Sequence, residues 1–498
     1  MGRAAAVGTS AGYAARVDTD RYGQPVTAAS PAAVRHYADF LDRFLAAEGG
    51  VDAALDRALA ADPDFALAHA ARAVRALFLG HRPEAAAAAA RAVGLAPGVS
   101  PREQGLVAGV AAVVAGEGPR AVGLLRRHLE AYPRDFLAVQ LAVQALGARG
   151  GGADGDADPR LALLERLAPV YGDDWAFLTL YSMGLNEAGA HAPARRAVAR
   201  ALAGRPRSGA AAHVYAHVCY ETGDPAAGAA FLEGWLPGYP ADAGFFVHNH
   251  WHLAVFEAQR GRLARALAVY RAGIDPQTPR AGSPLLIGGG AVALLWRAQL
   301  AAHPPGVLPW APVHAYMTRT GRRVGGALPL RGLWDGYEAV AHAAAGDAAG
   351  HAALLARVAA ADPAAYPAAP VVAGLARGLW AFARGDAAGA AALLAPLAPD
   401  LVRLGGSNEQ RDTFDDTVVA ALLRAGRAAE AEARLRTRLT RRPAAQDSLW
   451  LAEVLAATER RTEAREYLER ARAGWAAADV GGPERAALAG LASALAAG

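Results

Sequence analysis

Apolar side chains recur at helical spacing along most of the chain, and glycines interrupt this pattern at intervals. Apolar residues three and four positions apart share one helix face, so the pattern predicts amphipathic helices that pack through that face. Most of the interrupting glycines lie about 34 to 41 residues apart or about twice that, which predicts a repeated helix–turn–helix unit. These glycines are Gly80, Gly116, Gly189, Gly223, Gly261, Gly346, Gly385 and Gly426.

A second regularity lies five residues after the turn glycine, where a small side chain recurs. Where two helices cross closely only Ala or Gly fits, and a larger apolar residue one turn later fills the groove toward the next unit. Prolines near the ends of the second helices separate the units. The small residues are Ala85, Ala194, Gly228, Ala266, Ala390 and Ala431, with His351 as the exception, and the prolines are Pro63, Pro133, Pro240, Pro363 and Pro443.

These spacings predict an all-α, right-handed superhelix of tetratricopeptide-like helical hairpins, which is an α-solenoid. Alanine and leucine are abundant and isoleucine occurs only at Ile274 and Ile287, which disfavours regular strands. We expect an irregular segment over 1–19, one continuous superhelix over 20–475, and a capping helix or tail over 476–498. Glycine- and proline-rich stretches at 147–159 and about 272–289 predict irregular connections.

The basic residues narrow the possible chemistry, because all 51 are arginines and the chain has no lysine. This excludes a pyridoxal phosphate Schiff base and a P-loop nucleotide site, both of which need a lysine. The net charge of +4 is small for 498 residues, so it gives no reason to expect nucleic acid or a membrane as partner. The sequence specifies no cofactor and leaves open a single divalent metal ion and an oligomeric state.

Cysteine content and hydropathy predict a cytoplasmic location. Cys219 is the single cysteine, which excludes an internal disulfide and fits a reducing compartment. The first 20 residues lack the long apolar region of an export signal. The longest nearly apolar run that we identify, 105–116, is too short to cross a bilayer.

Five of the 14 histidines fall between positions 213 and 252. His213 and His217 form the string HVYAH, and His248 and His252 lie in HNHWH, so each pair shares one helix face. Counted back from the following turn glycine, the four positions lie 13, 10, 9 and 6 residues away. These offsets follow the i, i+3, i+4, i+7 spacing of residues that share one helix face. Parallel neighbouring helices would therefore present all four rings to one groove, while His250 points elsewhere.

Three interpretations of this cluster remain open. H-x-x-x-H on two adjacent helices supplies imidazoles at a spacing that zinc or another first-row ion accepts. As an acid–base site, the four imidazoles would bind or deprotonate a small polar ligand, aided by neighbours in the same strings. As polar packing, the rings would hydrogen-bond one another and nearby groups. The neighbours proposed to contact a ligand are Tyr220, Glu221, Asn249 and Trp251.

The segment RLGGSNEQRDTFDD, residues 403–416, is the other unusual stretch. Gly405 and Gly406 can end a helix, and Ser407 with Gln410 predicts a capping box at the start of the next one. Asn408, Arg411 and Asp412 remain, and they either hold a carboxylate or amide in the groove or form salt bridges between repeats.

In these sequence motifs and over about nine tenths of its length, the chain resembles a bacterial member of the tetratricopeptide-repeat protein 38 family. HVYAH, N-x-W-H and GGSNEQRD are the specific matches, and DRYGQPVTAASP at 20–31 begins the likeness. The resemblance implies an α-helical superhelix and supplies no established reaction. The family commonly has Asp-x-His where this chain has Asp335, Gly336 and Tyr337. Animal members carry Glu three residues after the second histidine, where this chain has Tyr220.

We therefore predict a histidine-rich site in the concave groove that binds, and by acid–base or metal-assisted chemistry transforms, a small polar molecule. Asp335 and Tyr337 join the proposed ligand contacts, because Tyr337 has the same offset from Gly346 as His252 has from Gly261. The alternative is a non-catalytic scaffold that binds a peptide or partner protein. With only three asparagines, Asn186, Asn249 and Asn408, the chain has too few for repeated asparagine clamps.

Overall fold

The computed structural model describes residues 17–147, 158–278, 280, 282–324 and 330–497. Within these ranges the chain forms a short antiparallel strand pair followed by 25 α-helices, so the all-α prediction is confirmed. The first half comprises β1 (Val17–Thr19), β2 (Pro25–Thr27), α1 (Pro31–Ala46), α2 (Val51–Ala61), α3 (Ala66–Phe78), α4 (Arg82–Leu95), α5 (Pro101–Val114), α6 (Gly118–Ala131), α7 (Phe136–Gly147), α8 (Pro159–Tyr171), α9 (Trp175–Glu187), α10 (His191–Gly204), α11 (Gly209–Glu221) and α12 (Pro225–Trp235).

The second half continues the same alternation of first and second helices, and α25 ends it. Its members are α13 (Phe246–Gln259), α14 (Leu263–Gly273), α15 (Gly290–Leu300), α16 (Trp310–Val324), α17 (Arg331–Ala345), α18 (Ala348–Ala359), α19 (Ala369–Ala383), α20 (Ala387–Leu394), α21 (Asn408–Arg424), α22 (Ala428–Arg441), α23 (Ala445–Ala457), α24 (Arg461–Gly474) and α25 (Pro483–Ala496). Short 3-10 turns occupy Ala96–Gly98, Pro305–Val307 and Ala395–Leu404, and a π-helical turn occupies Leu285–Gly289.

The turns have the backbone geometry that the glycine pattern predicts. All eight predicted turn glycines have positive φ angles, between 65° and 82°. A residue with a Cβ rarely adopts this left-handed conformation, whereas glycine does so at little cost and thereby ends the first helix of each hairpin. The predicted helix–turn–helix period is confirmed at these positions.

The small residues that follow the turns lie where helices approach most closely. Ala85, Ala194, Ala266, Ala390 and Ala431 are fully buried. At the corresponding position in α12, a Cβ added to Gly228 would lie 2.4 Å from the ring of Phe256 in α13. The absence of a larger side chain therefore sets the distance between these helices.

Several segment boundaries differ from those expected. Residues 17–19, expected to be irregular, form β1, because Tyr22 and Val26 of this hairpin are buried in the core beside α1. Positions 1–16 and most of the predicted 147–159 connection, 148–157, lie outside the described residues. The connection expected over 272–289 contains the end of α14 and the π-helical turn before α15. The region 476–498 contains α25, which packs on α24.

One segment contradicts the expectation that no apolar run is long enough for a membrane. Ala387–Leu404 has the length and hydropathy of a candidate span. Core helices of soluble proteins pass the same test, and only length and composition support a span here. In this structure Ala387–Leu404 consists of α20 and a 3-10 segment, and its buried residues pack against α19 and α21.

The superhelix contacts itself after each full turn. The hydroxyl of Tyr239 donates to the carbonyl of Ala47, and the indole NH of Trp475 donates to the carbonyl of Gln259 at 3.0 Å. These partners are 192 and 216 residues apart in sequence. Successive turns of the coil are therefore stacked directly on one another.

Helix α21 lies against the first helices of four earlier hairpins. It contacts α11 and α15, and the Tyr337 hydroxyl of α17 donates to the carbonyl of Gln410 at 2.9 Å. Its Glu409 side chain reaches His252 of α13. Because four successive helices touch it, α21 occupies the inner side of the curve that they form. The groove expected to hold a ligand is thus filled there by the chain itself.

Candidate functional site

The four histidines predicted to share a face converge on one point between α11 and α13. Five of the six pairs of ring centres are 4.5 to 5.1 Å apart, and His217 and His248 are 6.5 Å apart. The imidazole nitrogens of His213 and His217 come closest, at 2.9 Å between their Nε2 atoms. The i to i+4 spacing on two neighbouring helices produces this arrangement. The predicted histidine cluster is therefore confirmed as a structural feature.

A carboxylate that the sequence reasoning missed completes the cluster. Glu409, in the first turn of α21, is fully buried and faces two of the imidazoles. Its Oε1 atom lies 3.1 Å from Nδ1 of His252, and its Oε2 atom lies 3.3 Å from Nδ1 of His217. An acidic residue in a first helical turn is common because it offsets the helix dipole. Nothing in the local sequence distinguished Glu409 from such a residue.

Several buried polar atoms around this point have no hydrogen-bond partner. They are Nδ1 of His217, Nδ1 of His248, Nε2 of His252 and Oε2 of Glu409. The 3.3 Å approach of His217 to Glu409 thus lacks the alignment of a hydrogen bond. Folded proteins pair nearly all buried polar groups, so four unpaired atoms at one point require an explanation.

Burial makes the neutral form of each group favourable. Desolvation lowers the pKa of His213, His217 and His248 well below the usual range for histidine, and repulsion within the cluster adds to this. Desolvation, followed by the charge of Arg297, lowers the pKa of His252 to about 3. Desolvation raises the pKa of Glu409 to about 8, against the attraction of Arg297 and Arg442. Imidazoles with a free lone pair are the form that binds metal ions.

The residues between the histidines on α13 have packing roles. Trp251 stacks on His248 with ring centres 5.0 Å apart, and Asn249 donates through Nδ2 to the carbonyl of Gly209 at 3.1 Å. His250 points away, as predicted, with Nδ1 2.8 Å from the carbonyl of Phe246. Asn249 therefore ties α13 to α11.

Tyr220, Glu221 and Asp412 belong to an ion network beside the cluster. The hydroxyl of Tyr220 donates to Asp412 at 2.8 Å. Arg441 donates to Asp412 at 2.7 Å and to Glu221 at 3.0 Å, and Arg442 reaches Asp412 at 3.3 Å. Against the opposing effect of desolvation, these two arginines hold the pKa of Asp412 below its usual range. Asp412 therefore forms salt bridges, which was one of the two interpretations of this segment, although the sequence did not indicate its arginine partners.

Asn408 and Arg411 also bond within their own segment. Arg411 donates to Oδ1 of Asn408 at 2.7 Å and to the carbonyl of Gly405 at 3.2 Å. Together with Asp412 they line a cleft of about 600 Å³ between α21, α22 and the 3-10 segment before α21. Of the other predicted contacts, Asp335 bonds to Arg357 at 3.1 Å and to the hydroxyl of Tyr366 at 2.8 Å. The predicted ligand contacts are therefore distributed over several places rather than one.

A second cavity begins one helical turn beyond the histidines. It has a volume of about 400 Å³ and is lined by Tyr220 of α11, Val255 of α13 and Arg297 of α15, together with Trp450 and Trp475 from the last hairpins. None of the four histidines lines either of these cavities. His217, His248 and His252 are buried, and His213 is half-buried. Three of the four rings are therefore enclosed, and Glu409 of α21 lies against two of them.

The fold and this site define a class: an α-solenoid of tetratricopeptide-like hairpins with a buried histidine and carboxylate centre. No protein-family model matches the chain. Similar solved structures include a human IFIT1 dimer with m7Gppp-AAAA, at 14% identity over 83% of this chain and 90% of that one, with a TM-score of 0.39. Yeast Tom70 is similar at 13% identity over 93% and 95%, with a TM-score of 0.34. Likenesses this low carry no conclusion about what this protein binds.

Proposed function

We propose that this protein is a metal-binding helical-repeat scaffold in which His213, His217, His248 and His252 bind one divalent first-row transition ion such as zinc. This proposal replaces direct acid–base action of the four imidazoles on a ligand, because three of the rings are buried and none of the four lines either cavity described above. The observation that carries it is the convergence of four imidazoles on one point, three of which have an unpaired buried nitrogen there.

The spacing of the rings supports a single ion. Imidazoles that bind one tetrahedral ion through nitrogens at about 2.0–2.1 Å have ring centres about 5 Å apart. Five of the six separations here fall between 4.5 and 5.1 Å. One ligand nitrogen from each residue lies within 4.8 Å of the others. Small side-chain rotations bring such atoms onto a common ion.

Glu409 supplies the outer support that metal-binding histidines ordinarily have. Its Oε1 is hydrogen-bonded to Nδ1 of His252, and its Oε2 lies 3.3 Å from Nδ1 of His217. A carboxylate that accepts from Nδ1 fixes the ring orientation and leaves Nε2 free for an ion, and this arrangement is present at His252. Deprotonation of Glu409 on binding would also offset part of the ion's charge in this buried place.

An ion bound here would join parts of the chain that are distant in sequence. Glu409 begins α21, 157 residues after His252. The ion and its carboxylate would therefore hold α21 inside the coil against α11 and α13. A site with four protein ligands has no open coordination position, which favours a stabilising role for the ion over a catalytic one.

The three strings that carry the family resemblance form the walls of this centre. HVYAH lies on α11, N-x-W-H on α13 and GGSNEQRD at the start of α21. This meeting of distant motifs supports our proposal that the chain is a member of the tetratricopeptide-repeat protein 38 family.

The test of the metal centre is elemental analysis of protein purified without chelators, combined with metal titration of stripped protein. We expect the wild type to bind about one zinc, nickel or iron ion per chain at this centre. The variants His217→Ala and His252→Ala should each lose it, whereas His250→Gln, in the same string but outside the cluster, should retain it. Unchanged metal content in both alanine variants would contradict the proposal.

A second candidate function is that of a scaffold whose 400 Å³ cavity receives a carboxylate-bearing segment of a partner. Nη1 of Arg297 and Nε of Arg442 are buried without partners, and both residues line this cavity beside Trp450 and Trp475. Thermal-shift measurements against short peptides with a free carboxylate test this function. Arg442→Gln should abolish a shift that the exposed Arg472→Gln preserves, and the absence of any shift in the wild type would contradict it.

A further inference from the structure

A second cluster of metal-ligating side chains lies outside the four-histidine centre. His314 comes from α16, His342 from the last turn of α17, and Asp347 is the N-cap residue of α18. Nε2 of His314 and Nδ1 of His342 each lie 3.0 Å from Oδ2 of Asp347, and they lie 3.3 Å from each other. The three atoms thus form a nearly equilateral triangle.

We propose that His314, His342 and Asp347 form a second, independent metal site that binds one divalent first-row transition ion with open coordination positions. Adjacent ligands on such an ion, with bonds of about 2.0–2.2 Å, lie roughly 2.9 to 3.5 Å apart. All three measured separations fall in this range. Two histidines and one carboxylate on one face of an ion leave its other positions for water or another ligand.

Hydrogen bonds alone account less well for this triangle. If both imidazoles donate to Oδ2 of Asp347, their two N–H groups face each other at 3.3 Å. An ion above the triangle removes that conflict, because both nitrogens then present lone pairs to a positive charge.

The surrounding groups hold these side chains in place, as a metal site requires. The other nitrogen of His342, Nε2, lies 3.5 Å from Oε1 of Glu338, and Arg357 holds the same carboxylate at 2.8 Å through Oε2. The second oxygen of Asp347 accepts from the backbone NH of Gly350 at 2.9 Å. An outer carboxylate behind a histidine and a fixed ligand carboxylate both favour ion binding.

Solvent exposure distinguishes this site from the four-histidine centre. The side chains of His314 and Asp347 are 24% and 26% exposed, and that of His342 is 2% exposed. Solvent therefore reaches one side of the triangle, so a bound ion can exchange and keep water ligands. Such an open site is the type that supports substrate contact, in contrast to a closed site of four protein ligands.

The chain provides a matched position for a control. Asp386 caps α20 as Asp347 caps α18, and its Oδ1 accepts from Gly389 at 2.8 Å as Asp347 accepts from Gly350. The sequences GDAAGH and GDAAGA at 346–351 and 385–390 show the same repeat position. Asp347→Asn and Asp386→Asn therefore make the same change at a helix cap, with the two histidines present only at the first.

The experiment measures Co²⁺ bound per chain by equilibrium dialysis of chelator-stripped, full-length protein. In the His217→Ala/His252→Ala background, which empties the first centre, we expect one ion per chain. Adding His314→Ala should remove it, Asp347→Asn should weaken binding at least tenfold, and Asp386→Asn should leave it unchanged. No ion in that background, or an ion unaffected by His314→Ala, would overturn the proposal.

A second comparison covers the case in which the background variant does not fold. His314→Ala in the otherwise wild-type chain should bind one ion fewer than the wild type, and an equal count overturns the second site. The two proposals remain distinguishable, because loss of an ion in His314→Ala alone supports this site, whereas loss in His252→Ala alone supports the four-histidine centre.

Discussion

Glu409 shows how much a single buried side chain can change the chemistry of its neighbours. Without this carboxylate, His252 would have no hydrogen-bond partner in the cluster. Glu409 is hydrogen-bonded to Nδ1 of His252 at 3.1 Å, which turns the other nitrogen of that ring toward the cluster, and its second oxygen lies 3.3 Å from His217. The affinity for an ion should therefore depend on a residue that does not bind the ion itself.

We predict that Glu409→Gln weakens divalent-ion binding at the four-histidine centre by about 10- to 100-fold. The amide keeps the shape of the side chain but is a weaker acceptor and carries no charge, so the rings lose basicity. Competition with a chromophoric chelator in the His314→Ala background measures the change. The exposed Glu430→Gln should bind as tightly as its parent, and an equally tight Glu409→Gln protein would show that the carboxylate has no supporting role.

A second residue-scale prediction concerns pH. Burial raises the pKa of Glu221 from 4.5 to about 7, against the opposing effect of Arg441. The folded chain then holds this proton more tightly than the unfolded one, so the associated stability is present below pH 4.5 and is lost as pH rises through 7. The loss from this group is at most about 3 kcal/mol.

Urea unfolding at pH 5.5 and pH 8 compares the wild type with Glu221→Gln, in which this group no longer titrates. The free energy of unfolding should fall less over this interval in the variant. An identical pH dependence in the two proteins would mean that Glu221 does not titrate in this range.

At the scale of the element, the repeat is set by where helices can approach each other. Gly228 and Gly234 both lie in α12, but a Cβ at Gly228 would meet the Phe256 ring at 2.4 Å, and one at Gly234 would meet nothing within 4 Å. The same substitution at the two positions thus separates helix packing from helix propensity.

We predict that Gly228→Ala destabilises the protein by about 1–3 kcal/mol through overpacking. Gly234→Ala should stabilise it by up to about 1 kcal/mol, because alanine favours the helix. Thermal or urea unfolding of both variants measures the difference. A Gly228→Ala protein as stable as Gly234→Ala would show that the two helices do not cross closely here.

Helical spacing alone was enough to predict the turns, the small residues and the shared face of the four histidines. These features depend on residues within one or two hairpins, where period and side-chain size act directly. The partners of Asp412 were not predictable in this way. Arg441 and Arg442 come from the end of α22, and the sequence contains many other arginines that look the same.

At the scale of the whole molecule, the proposed ion links α11 and α13 to α21, which enters the coil 157 residues after His252. Removal of the ion should therefore loosen more than its immediate surroundings. A ligand that binds only the folded state, at a free concentration 1,000 times its dissociation constant, stabilises that state by about 4 kcal/mol.

We predict that a chelator lowers the unfolding temperature of the His314→Ala protein and increases proteolysis near α21. Zinc should restore both, because it binds the folded centre. In the His217→Ala/His252→Ala/His314→Ala protein, neither chelator nor zinc should change the unfolding temperature or the proteolysis near α21. A chelator effect of equal size in that triple variant would place the stabilising ion elsewhere.

The sequence by itself determined the hairpins, their turns and the alignment of four imidazoles, since each follows from helical period, glycine conformation and side-chain volume over short distances. The tertiary structure alone decided that α21 enters the coil and that Glu409 reaches two of the rings. Small rotations between neighbouring hairpins add up over a full turn of the coil. Which distant segments meet is therefore set by the sum of many packing contacts and not by any local pattern.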